Sequence, residues 1–283
     1  MDSEASPPNV LFSSVADVFH RLASLDKHQD VLVFGDVSPD SFRTIEKERD
    51  GRGQKFGLFY QASTRSLVIT VPTFPHSCMH TFMYEIVFVA MVHMNAHTGW
   101  TSVSNTTFEP GSGSSGQADS SGMPAGSRGV GDWPTLVVEA GYSQTLPSLR
   151  AKMRWWFAAS NHQVKVVILV KMISSEGSLL VEKWMEAPPR SGATGTRRAI
   201  SAGLMAPQPV CMQTVTITWD GPQPILQTPI QGRTASQFRV TGAPLIIGFA
   251  DIYLRAPAAG ESDINISLSD LQLYASRVWA SVA

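Results

Sequence analysis

Glu139 ends a continuous apolar run, Leu136-Val137-Val138, and is followed by Ala140-Gly141. Such a run reads as a strand covered on both faces. A carboxylate at its end either reaches water at a sheet edge or belongs to a site. The helix that follows places Leu146, Leu149, Met153, Trp156 and Phe157 on one face at about 100° per residue. Lys152 falls at the margin of that face, where a lysine can bury its stem and aim its ammonium along the sheet surface, or simply snorkel to water. Glu85 lies inside Phe82–Met94, which is apolar nearly all round. A lone buried carboxylate is costly unless it meets a cation, a metal or a donor, or finds water through a gap in the packing. Asp119 sits in a Gly/Ser-rich stretch upstream of Glu139, where an aspartate alone carries little information.

Other groupings are weaker. His76, Cys78 and His80 could suggest a soft-metal site, and His93 and His97 lie one helical turn apart. No second cluster with zinc-finger spacing accompanies them, and His80 reads as a polar residue opening a helix. Phe82, Met83, Phe88, Met91 and Met94 read as core. Of the adjacent pair Trp155 and Trp156, the second points to the core and the first is the candidate exposed platform for stacking a base. Arg197-Arg198 is too short for a nuclear signal.

The elements that must position these residues alternate between helix and strand. Val15, Val18, Phe19 and Leu22 recur at helical spacing, and Val31–Phe34 reads as a strand. The polar stretch 38–53 reads as a solvated helix end and turn. Strands are expected at 56–61 and 66–71, then a helix at 76–96 stopped by Gly99, then a single strand over 101–108. Residues 109–132, dominated by Gly and Ser, read as a flexible loop, and 188–209 as a second linker. Further strands are expected at 134–140, 164–172, 178–185, 212–219, 237–240 and 245–249. Helices are expected at 146–160 and at 267–280, where Ser267 and Asp270 have the spacing of a capping box. No internal repeat is visible. The order implies an α/β fold with a central mixed sheet flanked by helices.

Composition narrows the function classes. The 283 residues can bury a sizeable core, and 43% hydrophobic against 16% charged residues excludes a wholly disordered chain. The formal net charge of −1 advertises no global attraction to nucleic acid, so any such contact needs a local patch. Cys78 and Cys211 are far apart and fit no redox or zinc spacing, which suits a reducing compartment. The start, Met1-Asp2-Ser3-Glu4, lacks the basic and apolar regions of a signal peptide. The longest apolar stretch, interrupted by Glu85 and His93, is shorter than the about 20 residues of a membrane span. The expectation is an intracellular protein, cytoplasmic or nuclear, without a membrane partner.

An Asp in a loop, a strand ending in Glu and a helix carrying Lys together resemble the PD-(D/E)XK nuclease superfamily. The closer resemblance is to its Uma2-like branch and to an uncharacterised fungal group within it. It rests on Pro134-Thr135-Leu136-Val137-Val138-Glu139-Ala140-Gly141-Tyr142-Ser143, on Lys152 in the place of a lysine that has migrated from strand to helix, on Arg154-Trp155-Trp156, and on Val164–Leu169. Upstream, Leu67–Thr73 before His80 looks like the strand that leads into the family's first helix. Downstream, Gly248–Pro257 and Glu261–Ile264 resemble the tail of the fungal group. Ala118 stands where the family has proline, and the lysine two residues after the strand glutamate is absent.

The resemblance implies a restriction-endonuclease-like core at 56–187, preceded by a lead-in at 1–55 and followed, after the 188–209 linker, by an extension at 210–283 packed on the core. It implies Mg²⁺ or Mn²⁺ held by Asp119 and Glu139, with Lys152 polarising water and Glu85 assisting, and DNA or RNA as substrate. Phosphodiester hydrolysis suits these groups, because a hard cation neutralises charge on the phosphate and activates water while an ammonium steadies what develops. The alternative is a catalytically inactive interaction module of the same fold, binding nucleic acid or protein. Asp119 separates the two, since a ligand in a disordered loop is not preorganised. The oligomeric state, a homodimer included, stays open.

Overall fold

The computed structural model describes residues 10–26, 29–104, 106–187 and 207–282. The chain opens with β1 (Val10–Leu11), α1 (Val15–Ala23), β2 (Val31–Gly35), α2 (Pro39–Gly51) and the hairpin β3 (Gly57–Gln61) and β4 (Ser66–Thr70). Ser14 and Ser38 cap the two helices by accepting from the backbone N–H of Asp17 and Ser41, and Pro39 starts α2 where its missing N–H costs nothing. The stretch expected as a helix end and turn is thus a 13-residue helix. Its capping serine, first-turn Asp40 and buried Phe42 and Ile45 suffice to build it.

Next come α3 (Phe74–His93), capped by Thr73, then β5 (Trp100–Ser102), β6 (Thr107–Phe108), β7 (Ser115–Gln117), β8 (Ser120–Pro124) and β9 (Leu136–Gly141). The chain continues through α4 (Leu146–Ala159), β10 (Val166–Ile173), β11 (Ser178–Ala187), β12 (Gln208–Trp219), β13 (Phe238–Thr241), β14 (Leu245–Ile247), α5 (Phe249–Tyr253), β15 (Ile264–Ile266) and α6 (Leu268–Ala280). Ser267 and Asp270 form the expected capping box at the head of α6. Most of the linker expected at 188–209, together with Arg197-Arg198, lies outside the described residues.

The fold is α/β with mixed sheets flanked by helices, as expected. The strands divide between a seven-stranded sheet, β13-β12-β11-β10-β9-β8-β5, and a six-stranded sheet, β1-β2-β4-β3-β7-β6, with β14 and β15 pairing separately. In the larger sheet β9 and β10 run parallel, joined through α4, and their neighbours pair antiparallel. One face of this sheet packs Leu136, Val138, Ile168 and Val170 against Met79, Met83 and Met91 of α3 and Leu271 and Val278 of α6. The other packs Val137, Val167 and Leu169 against Met153, Trp155 and Trp156 of α4, together with Val31, Phe59 and Val68 of the smaller sheet. A third cluster joins α1 and α2 to the far side of that smaller sheet. Among the described residues no helix is long and apolar enough to cross a membrane.

Two expectations fail in one place. The strand expected over 101–108 is broken in two, and the flexible loop expected at 109–132 contains two strands. β5 pairs with β8 in the larger sheet, and β6 pairs with β7 in the smaller one. The two arms form a ribbon that leaves one sheet and enters the other, bending at Ala118-Asp119. Glycine here serves packing rather than flexibility. A Cβ on Gly116 would lie 2.6 Å from the Trp155 ring, and one on Gly122 would lie 2.4 Å from both Trp100 Nε1 and the Tyr84 hydroxyl.

Candidate active site

Because side chains alternate along a strand, Val137 and Glu139 of β9 face α4 while Val138 and Ala140 face α3. β9 lies inside the larger sheet between β8 and β10, so Glu139 is fully buried and does not reach water at an edge. On α4, Lys152 and Trp156 are four residues apart and therefore project side by side. Both reach the same carboxylate. Lys152 Nζ donates to Glu139 Oε2 at 2.6 Å, and Trp156 Nε1 donates to Oε1 at 2.6 Å.

Asp119 arrives from the bend of the ribbon. Its Oδ2 accepts from the backbone N–H of Ala140 at 2.8 Å, which ties the bend to β9 one residue beyond Glu139. Its Oδ1 lies 4.0 Å from Lys152 Nζ. Three residues distant in the chain, Asp119, Glu139 and Lys152, thus meet in one place. Glu85 is exposed on the wall of the same cleft, apart from that cluster, so of its two expected readings the structure takes the one in which the carboxylate reaches water. Trp155, expected as an exposed stacking platform, is buried edge-on against Phe59, Trp133 and Trp156. The cleft has a volume of about 930 Å³. Its wall includes His76, His80, Glu85, Asp119, Ser120 and Lys152, while Glu139 lies behind Lys152 and outside that wall.

The sequence reading missed Asp30 and did not give His76 its place. From α3, His76 Nδ1 meets Asp30 Oδ2 at 3.0 Å, and its Nε2 lies 3.5 Å from Asp119 Oδ2. His80, one turn on, has Nδ1 at 2.9 Å from the Ser120 hydroxyl. In the sequence His76 and His80 stand out only with Cys78, as a weak soft-metal grouping. What it could not reveal was Asp30, a single acidic residue ahead of β2.

Charge in this buried cluster is nearly balanced. Burial by itself would pull the His76 imidazole down, but the Asp119 and Asp30 carboxylates outweigh it and raise it to about 10. Burial likewise opposes the Lys152 ammonium, and Glu139 and Asp119 more than offset it. Burial works against the Asp119 carboxylate, yet Lys152 and His76 hold it well below the usual range. Two cations thus answer two carboxylates, Asp30 and Asp119, and Glu139 is the third acidic group, which burial drives toward its neutral form. Full burial pushes its carboxyl up to about 8, with the Asp119 charge adding to the rise and Lys152 and Trp156 opposing it. His80 is pulled down to about 4 by burial, against Asp119 but with His76 and Lys152.

Among the described residues no group of three or more His, Cys, Asp and Glu is arranged to hold a metal ion. Asp119 and Glu139 nonetheless have the right donor chemistry for Mg²⁺, which takes one or two carboxylates and keeps several waters. Asp119 Oδ1 and both Glu139 oxygens have a second lone pair beyond the contacts described, and a bound cation would favour the ionised form of Glu139.

No family model matches the chain, and no curated protein matches it. Among solved structures it is similar to a protein of Anabaena variabilis described as a "putative nuclease belonging to DUF820", with a TM-score of 0.39 and 11% sequence identity. The match covers 84% of this chain and 99% of that one. Function therefore has to be read from the site itself.

Proposed function

We propose that this chain is a Mg²⁺- or Mn²⁺-dependent nuclease of PD-(D/E)XK type, hydrolysing phosphodiester bonds of DNA or RNA. The observation that supports this reading is the convergence of Asp119, Glu139 and Lys152, with Lys152 Nζ 2.6 Å from one carboxylate and 4.0 Å from the other, beside an open cleft. Asp119 and Glu139 would hold the divalent ion, which when bound neutralises charge on the phosphate and lowers the pKa of a water. Lys152, on the cleft wall, presents a fixed ammonium to an entering phosphate and steadies charge that develops on its oxygens. Trp156 pins the second oxygen of Glu139, and the Ala140 N–H pins Asp119, so the carboxylates need not be ordered when substrate arrives. Glu85, on the same wall, would assist from a distance.

A second reading also has an observation in its favour. Both Glu139 oxygens already accept internal donors and the residue lies off the cleft wall, which suits an inert module whose charges satisfy one another. Incubation with plasmid, single-stranded DNA and RNA separates the two. The nuclease should cut at least one of them with Mg²⁺ or Mn²⁺, and EDTA, Glu139→Ala and Lys152→Ala should each abolish cutting. Cleavage that survives both substitutions removes the nuclease assignment. A wild type that neither binds Mn²⁺ nor cuts establishes the module.

A further inference from the structure

Behind Asp119, and away from Glu139 and Lys152, a second set of buried groups is arranged in line. Asp30 is fully buried and immediately precedes β2 of the smaller sheet. Its Oδ1 accepts from the backbone N–H of Ser143 at 2.9 Å and also from the Ser143 hydroxyl, while its own N–H donates to that hydroxyl at 3.0 Å. Ser143 lies two residues beyond β9 of the larger sheet. Asp30 and Ser143 therefore clasp the ends of two strands from different sheets, and the remaining oxygen, Oδ2, faces His76 Nδ1 at 3.0 Å. His76 is 3% exposed, and the opposite edge of its ring faces Asp119 Oδ2 at 3.5 Å.

A carboxylate held from behind in this way aims an imidazole, and the imidazole aims whatever its other nitrogen faces. We propose that Asp30 and His76 are positioning residues for Asp119: the Asp30–Ser143 clasp fixes the ring of His76, and His76 holds the Asp119 carboxylate at the bend of the ribbon in the orientation needed to bind a divalent cation. The role given to Asp119 rests on the nuclease reading above, whereas the geometry of the relay does not. Asp30 is not on the cleft wall, so it acts only through His76. The bend needs such a support, because the Ala140 N–H is the only backbone group, among the described residues, that anchors the Asp119 carboxylate.

The test is Mn²⁺ binding by calorimetry on the full chain, with circular dichroism and thermal unfolding alongside. Asp30→Asn keeps the shape of the residue but removes its charge. It is expected to bind Mn²⁺ about 10–100-fold more weakly than wild type, the usual cost of losing a support behind a ligand, with an unchanged dichroism spectrum. Asp119→Asn should abolish binding. Binding by a folded Asp30→Asn within twofold of wild type overturns the relay. If Asp30→Asn does not fold, Ser143→Ala, which loses only the hydroxyl behind Asp30, should weaken binding by about fivefold, and unchanged binding in it overturns the relay equally. A wild type that binds no Mn²⁺ refutes the nuclease reading instead. The relay is then judged by the ring-nitrogen resonances of His76, which Asp119→Asn and Asp30→Asn must both shift. Resonances indifferent to either substitution overturn it.

Discussion

Moving an ammonium out of water costs several kcal/mol, and only close partners offset that cost. Lys152, 5% exposed, is held by Glu139 and Asp119, so deleting one member of the pair leaves the other stranded. Lys152→Met is expected to destabilise the fold by about 3–5 kcal/mol in urea unfolding. Adding Glu139→Gln should recover part of that loss, because the uncompensated charge disappears with it. Additive losses in the double variant would mean that the two residues do not share one environment. Trp156 lies on the core face as its spacing indicated, yet its indole N–H also has a polar partner in Glu139, since a buried donor without an acceptor is costly.

The ribbon β5–β8 is the element that decides the site, since it carries Asp119 through its bend. Gly116→Ala and Gly122→Ala put a methyl group into the rings of Trp155 and Trp100. Each is expected to cost about 1–3 kcal/mol by overpacking, and because both glycines lie three residues from Asp119, each substitution should also weaken Mn²⁺ binding. A Gly116→Ala variant as stable as wild type would return this stretch to the flexible loop that its composition suggests. A second element-scale expectation concerns the loop after α5, where Arg255 Nη2 donates to Glu261 Oε1 at 2.7 Å. Hydrogen bonds from Arg255 and from the Ala258 N–H hold the Glu261 carboxyl down at about 2, below the ordinary 4.5. A depressed folded value adds stability above the ordinary one, and that stability fades as pH falls from 4.5 towards 2. The difference in melting temperature between wild type and Arg255→Gln should therefore be small at pH 7, as for any exposed pair, and vanish near pH 2. A difference that grows on acidification would contradict the pairing.

At the scale of the whole molecule, the two large sheets share one core. Phe59 and Val68 of the smaller sheet and Val137 and Val167 of the larger pack with Trp155, whose ring meets Phe59 edge-on at 5.3 Å. Trp155→Ala is expected to cost about 3–5 kcal/mol, and wild-type unfolding should follow a single transition by both tryptophan fluorescence and far-ultraviolet dichroism. Two separated transitions would show that the sheets fold as independent units. The site depends on this union: Asp30 comes from the smaller sheet, Glu139 from the larger, and Asp119 from the crossing between them.

Local pattern alone determined the alternation of helix and strand, the capped helix at 268–280, the buried strand ending in Glu139 and the helix bearing Lys152, because periodicity and capping act within a few residues. Pattern misled where composition and packing disagree. Glycine and serine at 109–132 look the same whether they loosen a loop or make room for tryptophan rings, and only neighbours distant in the chain tell which. The tertiary structure alone decided that the strands divide between two sheets, that Trp155 is buried while Glu85 faces water, and that Asp30 and His76 stand behind Asp119. A charge reveals its role through the groups that surround it, and here those groups come from segments up to 113 positions apart, as Asp30 and Ser143 are.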